Sequence, residues 1–238
     1  MKEGKVTSYL LYAIGEIVLV VAGILIAVRI DSARVERTRQ EREEKILKQI
    51  QVDLEFNASH VAGMLRKLEF LDGAADSVLK SIKNKKQSRS FAAQASMIHR
   101  RFFVGFTSSG YNQLIGPIGV AVQNDSLRNQ LVQLYEDHFG PVVQKQNMLN
   151  SHLYEQLLPK SNELFEIRQN IEFKIPEFDD NAMDFYTPIN ETLIFNNHSF
   201  ANTVINQKRL FQIQTNQLES TQEMIDKTLT YLNQELSR

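Results

Sequence analysis

LKQIQVDLEFNASHVAGMLRKLEFLDGAADSVLKSI, residues 47 to 82, is the stretch that decides the fold. In it Leu47, Ile50, Leu54, Asn57, Val61, Met64, Leu68, Leu71, Ala75, Val78 and Ile82 step by three and four, so they line one stripe of an α-helix. Asn57 is the polar exception; an Asn at such a position either fixes register between partner helices or faces water. So long a stripe needs a partner, and the C-terminal residues supply one. Val204, Phe211, Leu218, Ile225 and Leu232 recur every seven residues, with Phe200, Leu229 and Leu236 widening the stripe. The seam is expected to pack inside a bundle or to pair between chains.

Upstream the same spacing falls on Glu43 and Gln40, so residues 30–46 read as a solvated, charged helical stalk. Ahead of the stalk lies Tyr9 to Val28, YLLYAIGEIVLVVAGILIAV, long enough at about 1.5 Å per residue to span about 30 Å of hydrocarbon and carrying one charge, Glu16. A cleaved signal peptide would have a shorter apolar core and a small-x-small exit, whereas this run leaves through Val28-Arg29-Ile30-Asp31. A lipoprotein signal is excluded because the chain has no cysteine to acylate. The expected organisation is therefore a tail at 1–8, a transmembrane helix at 9–29, a stalk at 30–46 and an α-helical bundle at 47–238.

Gly15, Leu19, Gly23 and Ala27 recur every four residues, a face on which small residues let two helices approach closely in lipid, although Gly and Ala are common in such helices in any case. Glu16 lies about 10 Å inside the run, where a carboxylate is costly unless protonated, paired or reaching the interface. It is expected to contact a partner helix, to respond to protons, or to extend towards the nearer interface. Lysines and arginines are denser after the run than before it, which places the bundle in the cytoplasm by the positive-inside count. Asp31, Glu36, Glu41, Glu43 and Glu44 are interleaved with those cations, so the side is left open.

Between the two long helices, Phe91 to Phe106 reads as a helix after a basic linker, Lys83 to Arg89, which is either a solvated turn or a contact for anionic headgroups. Asn124-Asp125-Ser126 reads as a capped helix start that feeds Leu127, Leu131, Leu134 and Tyr135. Gly140-Pro141 is expected to break or kink that helix, and Pro159 to stop it. Ile171, Phe173 and Ile175 alternate with charged residues as in an extended stretch, and Phe178, Phe185 and Tyr186 are expected to pack onto the bundle. The fold class expected is all-α: one N-terminal transmembrane helix continuing into a charged stalk and a long-helix bundle.

The chemistry is sparse. With 27 basic and 28 acidic residues the chain has no nucleic-acid footprint, so no nucleic-acid partner is expected. His60, His99, His138, His152 and His198 form no metal-ligand spacing, and Glu177, Asp179, Asp180 and Asp184 lack the pattern of a calcium loop. No phosphate-binding loop or nucleophile-elbow motif is present, so no cofactor, metal or catalytic residue is assigned. Ser108-Ser109-Gly110 reads as a helix start before Tyr111 and Leu114 in preference to a nucleophile.

Two stretches carry a resemblance: TSYLLYAIGEIVLVVAGILIAVRID, and SSGYNQLIGPIGVAVQNDSLRNQLVQLYE from Ser108. Together they resemble domain of unknown function 6090, a family of bacterial single-pass membrane proteins found mainly in Bacteroidetes. Ser109, Tyr111, Leu114, Asn124, Asp125, Ser126, Leu127, Arg128, Asn129, Leu134 and Tyr135 match its pattern. The helix exit departs from it, since members are richer there in Asn and Trp than Arg29-Ile30-Asp31-Ser32, and members often begin with a basic, aromatic extension. The resemblance implies architecture and brings no activity with it. The function expected is a membrane-anchored helical interaction or sensory-input module without catalysis. Its partners would be the lipid bilayer and a second copy or another membrane protein, with close packing through Gly15, Glu16, Gly23 and Ala27. The alternative is a membrane-bound hydrolase using the Ser108 to Tyr111 region with a histidine.

Overall fold

A computed structural model describes residues 3–116, 122–170 and 183–237. Helix dominates. α1 (Glu3–Lys83) is a single rod of 81 residues, about 120 Å long, and no proline precedes Pro117 to interrupt it. α2 (Phe91–Ile98) and α3 (Ser109–Ile115) follow, then α4 (Asp125–Val132), a π-helical turn π1 (Gln133–Phe139), α5 (Gly140–His152), a second π-helical turn π2 (Leu153–Leu157) and α6 (Leu158–Leu164). A two-stranded ribbon, β1 (Phe165–Asn170) and β2 (Met183–Pro188), leads to α7 (Glu191–Phe195) and α8 (His198–Leu236).

α8 lies antiparallel along α1. Gln51 donates to Asn233 at 2.8 Å near one end, and Lys208 bridges Asp72 and Asp76 at 2.9 and 2.7 Å near the other. From Leu47 to Val78 every position of the seam is buried, and Ile82 is half-buried. The seam is thus covered within one chain, which corrects the expectation that it could pair between chains. On α8 the apolar positions are buried as the heptad requires, yet Gln207, Gln214, Thr221 and Thr228 between them are buried too. Thr221 and Thr228 donate to carbonyls four residues back at 2.7 Å, and Gln214 donates to the Val142 carbonyl, so their desolvation is partly offset.

Phe91 to Phe106 is not one helix. α2 ends at Ile98, and residues 101–107 run extended through the bundle with Phe102 and Val104 buried and Phe103 exposed between them. Side-chain carboxamides replace a neighbouring strand. Asn57 donates to the Thr107 carbonyl at 2.8 Å and accepts from its N–H at 2.9 Å, Asn150 does the same for Phe102 at 2.8 and 3.1 Å, and Gln146 accepts from the Val104 N–H. Asn57 therefore neither sets register between helices nor faces water; it holds a buried backbone segment that would otherwise lack partners.

Gly140-Pro141 does not break its helix, nor does Pro159 stop its own. Each proline comes two residues after a π-helical turn, and the residues that join the segments, Val132, Gly140, Leu153 and Leu158, all keep helical dihedrals. The wider turn makes room for the ring and moves the pairing of the preceding carbonyls, so the missing N–H is tolerated. The ribbon adds a small β element to the expected all-α class, pairing Ile167 with Tyr186. Tyr186 is buried, as expected of the connection, while Ile171, Phe173, Ile175, Glu177, Phe178, Asp179 and Asp180 lie outside the described residues.

α1 ends in a Schellman turn. Lys86 N–H donates to Ser81 O at 3.2 Å and Lys85 N–H to Ile82 O at 3.1 Å, with Lys85 at φ 49°. The basic turn is thus 83 − 29 = 54 residues beyond Arg29 on one helix, about 80 Å, which removes it from any bilayer crossed by residues 9–29. As for that span, the side chains of residues 9–11 and 13 are outside the description, and among the described residues no helix is long and apolar enough to cross a membrane. A stretch of 18 residues from Ile14 already takes in Glu16, Arg29 and Asp31.

Candidate functional site

Residues 109–116 and 122–135 come together with the stalk in a collar where α1 enters the bundle. Its centre is Asp53, one residue before the seam's Leu54 and buried. Its carboxylate accepts from Gln49 Nε2 at 3.0 Å, from Ser109 Oγ at 2.8 Å and from the Gly110 N–H at 2.7 Å. The start of α3 is held by this residue of α1, whereas Ser108, at the N-cap, makes no side-chain cap. Gly110 is buried against α1 so closely that an added Cβ would lie 2.6 Å from the Ile50 backbone nitrogen. Only glycine fits that crossing.

Around this centre the elements are tied by further carboxylates. Glu43 accepts from the Gln123 N–H at 2.8 Å, and Glu36 accepts from Gln123 Nε2 at 3.1 Å. Asn124 caps α4 by accepting from the N–H groups of Ser126 and Leu127, and its Nδ2 donates to Glu235 of α8 at 2.7 Å. Tyr111 stacks on Tyr135 with centroids 4.1 Å apart and donates to Glu136 at 3.2 Å. Burial, reinforced by Glu136, raises the Tyr111 pKa. Burial and then Asp53 push Tyr135 far up, and its hydroxyl is buried without a described partner. Leu127 and Leu134 are core residues and Leu114 packs on the core, while Arg128 pairs with Asp125 at 2.8 Å on the surface and Asn129 is exposed. The hydroxyl of Ser109 is engaged by carboxylate and carboxamide, with no histidine among its described partners.

Sequence spacing missed a second centre, because its members are 62 residues apart. His99 Nδ1 faces the Ala95 carbonyl, an acceptor only, so Nδ1 carries the proton and Nε2 accepts from Ser161 Oγ at 2.6 Å. The ring stacks on Tyr186 at 3.9 Å, and burial lowers the His99 pKa to about 4 while burial, and then Asp184, raise Tyr186 to about 12. A cleft of about 270 Å³ beside it is walled by His99, Arg100, Arg101, Tyr154 and Asp184, but Ser161 is fully buried and is not part of the wall. The pair joins α2, α6 and the ribbon, with the serine closed to solvent.

Gly15, Glu16, Gly23 and Ala27 lie on α1 ahead of the bundle and are exposed; a Cβ added at Gly15 or Gly23 meets nothing within 4 Å. Among the described residues no His, Asp and Glu group is arranged to hold a metal ion. No family model, curated protein or solved structure matches this chain.

Proposed function

We propose that the chain is a membrane-anchored helical interaction or sensory-input module that performs no chemistry of its own. The observation that carries this reading is α1. From Ile14 to Ile30 its apolar side chains are exposed on all sides, and from Leu47 the same helix forms the core of the bundle. An apolar helix with no protein face is at home in lipid, and a rigid rod passes any shift or rotation of the bundle to its other end. The collar ties α3 to that rod through Asp53 and the start of α4 through Glu43, and Glu235 of α8 holds Asn124 of the α4 cap, so these elements would move together with it. The resemblance of the anchor and of the Ser109 to Tyr135 segment to domain of unknown function 6090 supports the same single-pass arrangement in a bacterial cytoplasmic membrane.

In this reading Gly15, Gly23 and Ala27 form the close-packing face for a second copy or another membrane protein, with Glu16 bonded across it. Full-length protein should resist carbonate extraction from membranes and crosslink as a dimer, and Gly23→Ile should reduce the crosslink. Recovery in the soluble fraction overturns the anchor; equal crosslinking of wild type and Gly23→Ile overturns the packing face. One observation favours a second reading, a hydrolase: the Ser161 to His99 hydrogen bond has the sense of a nucleophile and its base. Labelling of Ser161 by a fluorophosphonate, lost in His99→Gln, would establish it, and an unlabelled serine removes it.

A further inference from the structure

From Ser77 to Asn124 the chain contains no acidic residue, yet it carries Lys80, Lys83, Lys85, Lys86 and Arg89 around a single turn. The fold makes that turn the tip of α1 and opens a cleft of about 390 Å³ beside it. Its lining consists of two lysines, four serines and three carboxamides, with no carboxylate and no apolar side chain. Lys80 and Lys86 are exposed and have no ion pair among the described residues. Ser90 borders the cleft from the N-cap of α2 without making a capping bond, which leaves the first-turn N–H groups of that helix without a side-chain acceptor. The cleft's two ammonium groups therefore have no carboxylate among its lining residues.

We propose that this cleft binds a small soluble oxyanion, a phosphate or phosphate monoester, between the C-terminal turn of α1 and the start of α2. Two ammonium groups supply charge, and the serine hydroxyls and carboxamide N–H groups supply short, charge-assisted hydrogen bonds to several oxygens at once. A cation finds no counter-charge there, since no carboxylate lines the cleft. The headgroups of the anchoring bilayer are about 80 Å away along α1, so the anion is a free one. The site would give the proposed module its input, since the anion would join α2 to the end of the rod whose other end enters the membrane. Binding is measured separately from anchoring, so either can fail alone.

The test is isothermal titration of full-length protein in a neutral detergent with inorganic phosphate, at fixed ionic strength in chloride. Saturable binding is expected, accompanied by a phosphate-dependent rise in Tm. Lys80→Gln with Lys86→Gln should weaken binding about tenfold or more, because two charge-assisted contacts are lost. Both side chains are exposed, so this variant should keep the wild-type Tm without phosphate. Lys48→Gln, at the opposite end of the bundle part of α1, should bind phosphate as the wild type does. Absence of binding overturns the proposal, as does an unchanged affinity in the double variant. Binding to phosphatidylglycerol vesicles without a response to phosphate also overturns it.

Discussion

Gly110→Ala tests whether the collar is a rigid coupling between stalk and bundle. The added methyl would stand 2.6 Å from the Ile50 nitrogen, 2.7 Å from its Cγ1 and 3.0 Å from its Cα, and two of these three atoms belong to the backbone of α1. Ordinary contact begins at 3.4 Å, so α3 has to retreat by 3.4 − 2.6 = 0.8 Å. A retreat of that size along the same direction stretches the Gly110 N–H bond to Asp53 from 2.7 Å to about 3.5 Å, where little of it survives. Overpacking costs about 1–3 kcal/mol and the weakened bond to a buried carboxylate about 1.5–3, offset by about 1 from replacing glycine in a helix. The net loss expected is about 3 kcal/mol. Urea unfolding of the full chain in detergent, followed by far-UV circular dichroism, measures it. Asp53→Ala provides the control, because its bond to Gly110 is already broken in Gly110→Ala. The double variant should therefore be more stable than the sum of the single losses by about 1 kcal/mol or more. A Gly110→Ala protein as stable as wild type, or strictly additive losses, refutes the coupling.

Asn57→Ala should cost about 2–4 kcal/mol in the same assay by stranding the Thr107 N–H and carbonyl, and Asn57→Leu should not recover that loss, since it fills the space without restoring the bonds. Lys85→Gly should stabilise by about 1 kcal/mol, because glycine adopts the positive φ of the Schellman turn without a Cβ penalty. His99 lowers stability on acidification. Its folded pKa of about 4 lies below the ordinary 6.5, so the unfolded chain takes up a proton first as pH falls. Its share of stability is complete above pH 6.5 and is lost between 6.5 and about 4, to a limit of about 3 kcal/mol. His99→Gln should flatten the pH dependence in that window; an unchanged slope would place the acid sensitivity elsewhere.

The sequence by itself determined the long elements. The step of three and four from Leu47 to Ile82, the sevenfold recurrence from Val204 to Leu232 and the Asn124 cap are local periodicities, and a helix presents such patterns whatever packs against it. The all-round apolar character of the N-terminal segment was readable for the same reason. Tertiary structure decided how the polar positions were used. Asn57 faces an extended peptide fifty residues away in sequence, Asp53 anchors a helix start from another element, and His99 meets Ser161 across the bundle. It also decided that the helix would pass through Pro141 and Pro159, and that Phe91 to Phe106 would stop being helical once carboxamides from α1 and α5 offered its backbone other partners. Periodicity records which side of a helix is apolar. A hydrogen bond between distant residues leaves no period in the chain, because its energy depends on two groups meeting in space after the backbone has been placed.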